Sequence, residues 1–194
     1  MHQNKYILVV NPISGEVDKT EIIEKVQLFA VENKIILITF ETTGKDDVLA
    51  LQNLYKAHKP NRILIVGGDG TIKFAAEALE QFDVIFGIIP AGSSNGLAVD
   101  LGLPESIESS LEVAAGSNFM DIDMIEINGK KSIHLSDLGL NASLIKNYEN
   151  SETRGKLGYA LQIITTLVEL GDPFSAQIQE IGRASCRERV WLLV

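Results

Sequence analysis

The segment from Arg62 to Thr71 limits the possible folds of this chain more than any other. The four residues after Arg62 (Ile-Leu-Ile-Val) are apolar and mostly β-branched, which predicts a buried parallel strand. Three glycines and an aspartate end the strand (Gly67-Gly-Asp-Gly70), and apolar residues at helical spacing follow directly. A strand, a glycine turn and a helix start predict an anion site. Glycine allows close backbone approach, and the first helical turn has unpaired N–H groups.

Asp69 and Thr71 suit a phosphate site for different reasons. Thr71 can cap the helix or contact a ligand oxygen. The carboxylate of Asp69 would be repelled by phosphates unless a cation lay between them, and Mg²⁺ binds through one or two carboxylates together with phosphates. The alternative is an ordinary strand–helix turn in which Asp69 acts only as a cap. The local pattern favours phosphate binding over this alternative.

The first 115 residues alternate strands with helices of ten to fifteen residues. Strands are predicted at 6–10, 35–40, 62–67 and 84–89, and the longer helices at 18–31, 46–58 and 106–115. Such alternation predicts βαβ units and a parallel sheet. Loops at 11–15, 42–45, 67–71 and 90–96 each follow a strand, so we expect them to converge on one sheet edge as a single ligand site.

The pattern changes after Gly116. Residues 120–127 alternate apolar and polar, Asn128-Gly129 is a hairpin signal, and 130–138 can return as a strand. A last helix is predicted from Arg154 to about Leu170. We therefore predict an α/β domain over 1–117 and the start of a mainly antiparallel β domain over 118–179.

Residues 180–194 are predicted to be foreign to the protein. The run Glu180-Ile-Gly-Arg-Ala matches a reading-frame translation of a sequencing adapter, and the only cysteine (Cys186) and tryptophan (Trp191) lie in this tail. We exclude it from the fold prediction and expect the natural protein to continue past about residue 179. The alternative is a genuine basic C-terminal segment.

Charge and composition exclude several classes of protein. The net charge is −9, and it becomes −11 without the +2 of residues 181–194. This argues against nucleic acid as a partner and leaves no polybasic membrane patch. No apolar run of membrane-spanning length and no secretory signal occur, so we expect a cytoplasmic protein.

Three loops together resemble the diacylglycerol kinase catalytic-domain family, the bacterial lipid kinases related to sphingosine and ceramide kinases. They are Asn11-Pro-Ile-Ser-Gly15, Gly67-Gly-Asp-Gly-Thr71 and Pro90-Ala-Gly-Ser-Ser-Asn95. Asp121-Ile122 and Gly155-Lys-Leu-Gly-Tyr159 resemble later family segments. The resemblance implies a nucleotide-binding domain similar to those of NAD kinases and phosphofructokinases, followed by an incomplete β-rich domain.

The resemblance also implies an activity: Mg²⁺-dependent transfer of the γ-phosphoryl group of ATP to a hydroxyl of diacylglycerol or a sphingoid-type lipid. Peripheral membrane contact and a homodimer are compatible with it. Asp69 would be both catalytic and a metal ligand, and a one-residue alignment gap would exchange Thr42 for Thr43. The residues implied to contact nucleotide are Asn11, Ser14, Gly15, Thr42, Gly67, Gly68, Asp69, Gly70, Thr71, Ser93 and Asn95.

The chain departs from the family pattern in three places. Lys73 and Phe74 follow the phosphate loop where members often have Asn-Glu, and Gly96 and Val99 stand where they often have Asp and Arg. The family's acidic general base lies in an Asp-Gly-Glu motif that does not occur here, so we expect this chain alone not to be a competent kinase. A soluble NAD kinase-like enzyme and a nucleotide-binding module without turnover are the alternatives. His134 has no Cys or His partner at metal spacing, and we assign it no functional role.

Overall fold

A computed structural model describes residues 3–16, 18–134 and the backbone of 189–193. The first four strands form a parallel sheet, and its order, β2-β1-β3-β4-β8-β5, continues into β8, parallel to β4, and β5, antiparallel to β8. The predicted α/β fold with a parallel sheet is confirmed. The strands of the described residues are β1 (Lys5–Val10), β2 (Ile36–Glu41), β3 (Arg62–Gly67), β4 (Ile85–Pro90), β5 (Phe119–Asp123), β6 (Ile125–Ile127), β7 (Lys130–Ser132) and β8 (Arg189–Leu193).

Helices cover both faces of this sheet because each central strand directs alternate apolar side chains to opposite sides. Ile7 and Ile63 pack with residues of the second, third and fourth helices on one face. Leu8 and Leu64 pack with residues of the first and fifth helices on the other. Because β1 to β4 are parallel, their carboxyl ends lie at one edge of the sheet. The helices are α1 (Thr20–Glu32), α2 (Asp47–His58), α3 (Asp69–Ala78), α4 (Gly96–Asp100) and α5 (Ile107–Ala115).

The start of α1 differs from the prediction by two residues. The helix begins at Thr20, whereas the sequence predicts that it begins at Asp18. The Oδ1 atom of Asp18 nevertheless accepts hydrogen bonds from the Thr20 N–H (2.9 Å) and the Thr20 hydroxyl (2.6 Å). The carboxylate thus satisfies the first helical N–H from outside the helix, which a short polar side chain can do from either flanking position.

The predicted hairpin at Asn128-Gly129 is present between β6 and β7. Both turn residues have positive φ, 51° and 76°, as a tight hairpin of this kind requires. Met124 and Ile133, which flank the hairpin, are 2% and 9% exposed and belong to the same apolar cluster as α3 and α4. The base of the hairpin is therefore fixed to the core on the side where these helices lie.

Four of the sequence predictions stay predictions. The end of the predicted strand at 130–138 and the helix at 154–170 lie outside the described residues. The domain boundary near 117 and the foreign origin of 180–194 are not tested, since backbone pairing of β8 with β4 and β5 reports on hydrogen bonding and not on where a sequence comes from.

Within the described part of the chain, no helix combines the length and the apolar character needed to cross a bilayer. The longest, α1, has 13 residues.

Candidate nucleotide-phosphate site

Three of the four predicted loops meet backbone against backbone at the carboxyl edge of the sheet. A Cβ on Gly92 would lie 2.5 Å from the Cα of Gly68, and one on Gly68 would lie 3.0 Å from the Cα of Gly92. Gly15, with a φ of 79°, would place a Cβ 2.9 Å from the Cα of Gly92 and from the carbonyl oxygen of Ala91. We call Gly15, Gly68 and Gly92 the glycine junction. None of the three positions has room for a side chain.

Asp69 links the phosphate loop to α4. Its Oδ2 accepts a hydrogen bond from the Gly96 N–H and its Oδ1 one from the Leu97 N–H, each at 2.8 Å. The half-buried carboxylate therefore caps α4 rather than its own helix, a role that the spacing of 27 residues along the chain did not reveal. Each oxygen keeps a further lone pair, so this geometry also leaves Asp69 able to bind a cation.

The first turn of α3 presents free donors beside open space. Gly68 precedes the helix in an extended conformation, and its carbonyl accepts hydrogen bonds from the Thr71 N–H (2.9 Å) and the Ile72 N–H (3.1 Å). The N–H groups of Asp69 and Gly70 have no acceptor among the described residues. A Cβ on Gly70 would meet nothing within 4 Å. This combination of free N–H groups and empty space is what a phosphate oxygen requires.

Thr71 neither caps a helix nor faces this space. It is 3% exposed, and it packs so closely on Gly67 that a Cβ there would lie 2.5 Å from the Thr71 Oγ1. The hydroxyl is enclosed and has no hydrogen-bond partner within the described part of the chain. In this conformation Thr71 contributes packing beneath the loop, and Gly67 is required because of it.

The first loop is held by its own hydrogen bonds and by a buried lysine. Asn11 Oδ1 accepts from the Ile13 N–H (3.2 Å), and the Ser14 hydroxyl donates to the Asn11 carbonyl (3.2 Å). Lys19 is 4% exposed, and its ammonium donates to the Ser14 carbonyl. Burial lowers the pKa of Lys19 because removal from water disfavours the charged form. The sequence did not single out Lys19, which reads as an ordinary residue before a helix.

In the fourth loop, Asn95 turns inward and Ser93 points to solvent. Asn95 has a left-handed backbone with a φ of 52°. Its Oδ1 accepts from the Gly92 N–H (2.7 Å) and its Nδ2 donates to the Gly92 carbonyl (3.1 Å). Asn95 therefore fixes the shape of the loop that carries Gly92. Ser93 is exposed, and its hydroxyl has no hydrogen bond to any described residue.

The second loop distinguishes its two threonines. Asp47 accepts hydrogen bonds from the N–H groups of Thr43 and Gly44 and from the Thr43 hydroxyl, at 2.7–3.1 Å. Burial alone would raise the pKa of Asp47, but these hydrogen bonds stabilise the carboxylate more, so its pKa lies below the ordinary value. The Thr42 N–H donates to the Val10 carbonyl (2.9 Å), next to the first loop. The Thr42 hydroxyl has no partner among the described residues.

A histidine that the sequence analysis set aside lies beside Asp69. A Cβ on Gly96 would lie 2.7 Å from the Cε1 of His134, and 3.5 Å from Asp69 Oδ2. His134 Nε2 lies 2.8 Å from the Oδ2 of Asp100, at the end of α4. The residue is far from the loops in sequence, and no metal-ligand spacing marks it. The missing side chain at position 96 was the one available signal.

The described residues contain no group of three or more His, Cys, Asp or Glu side chains suited to a metal ion. A Mg²⁺ ion at this edge would therefore depend on Asp69 together with phosphate oxygens and water. That is the usual coordination of Mg²⁺ in phosphoryl-transfer sites.

Known proteins are similar to this region in both sequence and fold. The profile of the diacylglycerol kinase catalytic domain matches residues 5–127. The "Probable lipid kinase YegS" of Salmonella arizonae is 33% identical over 111 residues, which cover 55% of this chain and 36% of that protein; its counterpart in Salmonella heidelberg is 32% identical over the same length. The match thus spans about a third of the length of these relatives.

Among solved structures, a crystal structure of a diacylglycerol kinase from Bacillus anthracis superposes with a TM-score of 0.54 at 24% identity, covering 68% of this chain and 48% of that one. This likeness concerns the fold alone. The family profile covers well over half of the chain, and it does so across the three loops that meet at the glycine junction. The chain belongs to the diacylglycerol kinase catalytic-domain family.

Proposed function

We propose that this chain binds Mg²⁺-ATP at the glycine junction, as the nucleotide-binding part of a lipid kinase that phosphorylates a hydroxyl of diacylglycerol or a related lipid. The observation that supports this most directly is that, among the described residues, the N–H groups of Asp69 and Gly70 have no acceptor and lie beside open space. Three loops of one family pattern surround it, and the family consists of lipid kinases.

The residues have three roles in this proposal. Backbone N–H groups at the start of α3 would hold phosphate oxygens, and the exposed Ser93 and the unpaired hydroxyl of Thr42 would contact the nucleotide beside them. Asn11, Ser14, Gly15, Gly67, Gly68, Thr71 and Asn95 would shape the loops rather than bind through their side chains. Asp69 would hold Mg²⁺, whose charge offsets that of the phosphates during transfer.

A nucleotide-binding module without turnover is the second candidate. Both carboxylate oxygens of Asp69 already accept hydrogen bonds from N–H groups of α4, which is the arrangement expected if Asp69 only caps that helix. The two candidates differ in whether an acidic general base activates the lipid hydroxyl. In the proposed kinase it lies in sequence beyond about residue 179, so this chain alone would bind ATP without phosphorylating lipid at a measurable rate.

The experiment combines binding with transfer. Mg²⁺-ATP is titrated calorimetrically into the wild-type chain and into Asp69→Asn, with Asp46→Asn as the control because the Asp46 side chain caps nothing. Phosphoryl transfer from labelled ATP is then measured for this chain and for a version extended through its natural reading frame. Each protein is given three acceptors in turn: vesicles containing diacylglycerol, vesicles containing sphingosine, and NAD.

We expect the wild type to bind ATP and Asp69→Asn to lose at least about tenfold in affinity, with the control unchanged. We expect the extended protein, and not this chain, to label lipid. Absence of ATP binding would refute the site assignment. Labelling of NAD alone would favour the soluble kinase, and labelling by neither protein would favour the module without turnover.

A further inference from the structure

His134 occupies the space that a side chain at position 96 would fill. The His134 Cε1 and Nδ1 atoms lie 2.7 and 3.0 Å from the position of a Cβ on Gly96, and Asp69 Oδ2 lies 3.5 Å from the same point. Gly96 is the residue whose N–H donates to that Asp69 oxygen. The imidazole ring therefore lies close to the hydrogen bond that links the phosphate loop to α4.

The ring is held from two sides. Its Nε2 is paired with Asp100 at 2.8 Å, so the ring spans α4 from its first residue, Gly96, to its last. The preceding residue, Ile133, is 9% exposed within the apolar cluster that contains Leu97 of α4. The side chain of His134 is itself only 17% exposed. Core packing, the hydrogen bond to Asp100 and the missing side chain at position 96 therefore all favour one position of the ring.

We propose that His134 is a positioning residue of the phosphate site, which keeps Gly96 against Asp69 and so orients the Asp69 carboxylate for its cation. The proposal rests on the proposed function, because the orientation matters only if Asp69 serves a metal–nucleotide complex. It goes beyond that function in linking His134, which follows the β6–β7 hairpin, to the phosphate loop through α4. Gly96 is then required for its lack of a Cβ and not for its backbone, which is helical.

The test is a cycle of variants: Gly96→Ala, His134→Ala and the double variant, with His58→Ala as the matched histidine control at the far end of α2. ATP is titrated calorimetrically with Mg²⁺ and again with EDTA, and thermal unfolding is followed for each protein. Asp100→Ala is added because the Asp100 side chain is 66% exposed, so its removal should leave the protein folded.

We expect Gly96→Ala to weaken Mg²⁺-ATP binding about fivefold, because its Cβ meets the ring, and we expect the double variant to recover to within about twofold of His134→Ala. His134→Ala and Asp100→Ala should lose about threefold with Mg²⁺ and remain within about twofold of wild type in EDTA. A loss of the same size with and without Mg²⁺ would indicate general destabilisation and overturn the proposal.

Wild-type protein that binds no ATP would refute the proposed function. Wild-type protein that binds ATP, while Gly96→Ala and His134→Ala bind it equally well or the double variant loses the sum of both, would overturn the positioning role alone. If Gly96→Ala does not fold, a folded double variant supports the proposal that the new Cβ clashes with the His134 ring. An unfolded double variant contradicts it.

Discussion

Gly70 and Gly68 are neighbours in one motif, yet the structure predicts opposite consequences for replacing them by alanine. A Cβ at position 70 would meet no atom within 4 Å, whereas a Cβ at position 68 would lie 3.0 Å from the backbone of Gly92. Neither residue has positive φ, so the backbone conformation would not strain an alanine at either position. The difference between them is space.

The magnitudes follow from these surroundings. Gly70 lies in the first turn of α3, where alanine loses less conformational entropy on folding than glycine, so Gly70→Ala should stabilise the protein by roughly 0.5–1 kcal/mol. For a chain of this size that corresponds to a rise in Tm of about 1–4 °C. The new methyl group would stand where we place the phosphates, and an affinity loss of at least about tenfold, or roughly 1.4 kcal/mol, is expected. Gly68→Ala should destabilise by roughly 1–3 kcal/mol, as overpacking does.

Thermal unfolding and calorimetric titration of Mg²⁺-ATP are measured on the same preparations of wild type and both variants. The expected result for Gly70→Ala is a higher Tm with weaker binding, and for Gly68→Ala a lower Tm with weaker binding. A Gly70→Ala protein that is more stable and binds ATP as tightly as wild type would refute the reasoning, because the phosphates could not then lie against the start of α3.

Two further predictions concern the second loop. Asp47→Asn should weaken Mg²⁺-ATP binding about threefold, because it loosens the backbone hydrogen bonds of Thr43, while Asp46→Asn should not. The folded-state pKa of Asp47 lies below its ordinary value of 3.8, so the stabilising contribution of its carboxylate is complete above pH 3.8 and is lost as the pH falls through the lower, folded-state pKa. Measuring Tm against acid pH in both variants would show this loss in Asp46→Asn, which keeps Asp47, and not in Asp47→Asn. Thr42→Val should weaken ATP binding by calorimetry more than Thr43→Val does; the reverse order would reassign the nucleotide contact to Thr43 or show that Thr43 matters through the loop alone.

The fold was predictable because the sequence repeats one simple pattern. Strands buried on both faces, such as Arg62–Gly67, are continuous apolar runs, and amphipathic helices separate them. The same regularity predicted that the loops would meet, since carboxyl ends of parallel strands share an edge. It could not predict how closely they meet. The contact between Gly68 and Gly92 joins residues that are neighbours only through β3 and β4.

The roles of individual polar side chains were much less predictable. Asp69 was expected to bind metal beside the phosphates. The structure shows that its carboxylate accepts hydrogen bonds from two N–H groups of α4, which the sequence did not predict. Thr71 was expected to cap a helix or contact ligand; it is buried and caps no helix among the described residues, and its contact with a ligand stays a prediction. Short polar residues can satisfy neighbouring backbone or distant backbone equally well, so their partners depend on tertiary packing that a local pattern does not contain.

The glycines were predictable and the polar contacts were not, because the two kinds of residue have different roles in the site. In the proposed site the phosphates would contact backbone N–H groups, and glycines are needed because three loops approach one another too closely for side chains. Three of the four loops are held by polar side chains from outside the glycine motifs, which we call the tethers: Lys19 on the first loop, Asp47 on the second, and His134 through α4 on the third. A glycine pattern is therefore visible in the sequence because few residues can replace glycine. The tethers are not visible in this way, because any side chain that reaches the same backbone group would serve. It follows that changes in nucleotide affinity should arise as readily from these tethers as from the glycine motif by which the site is recognised.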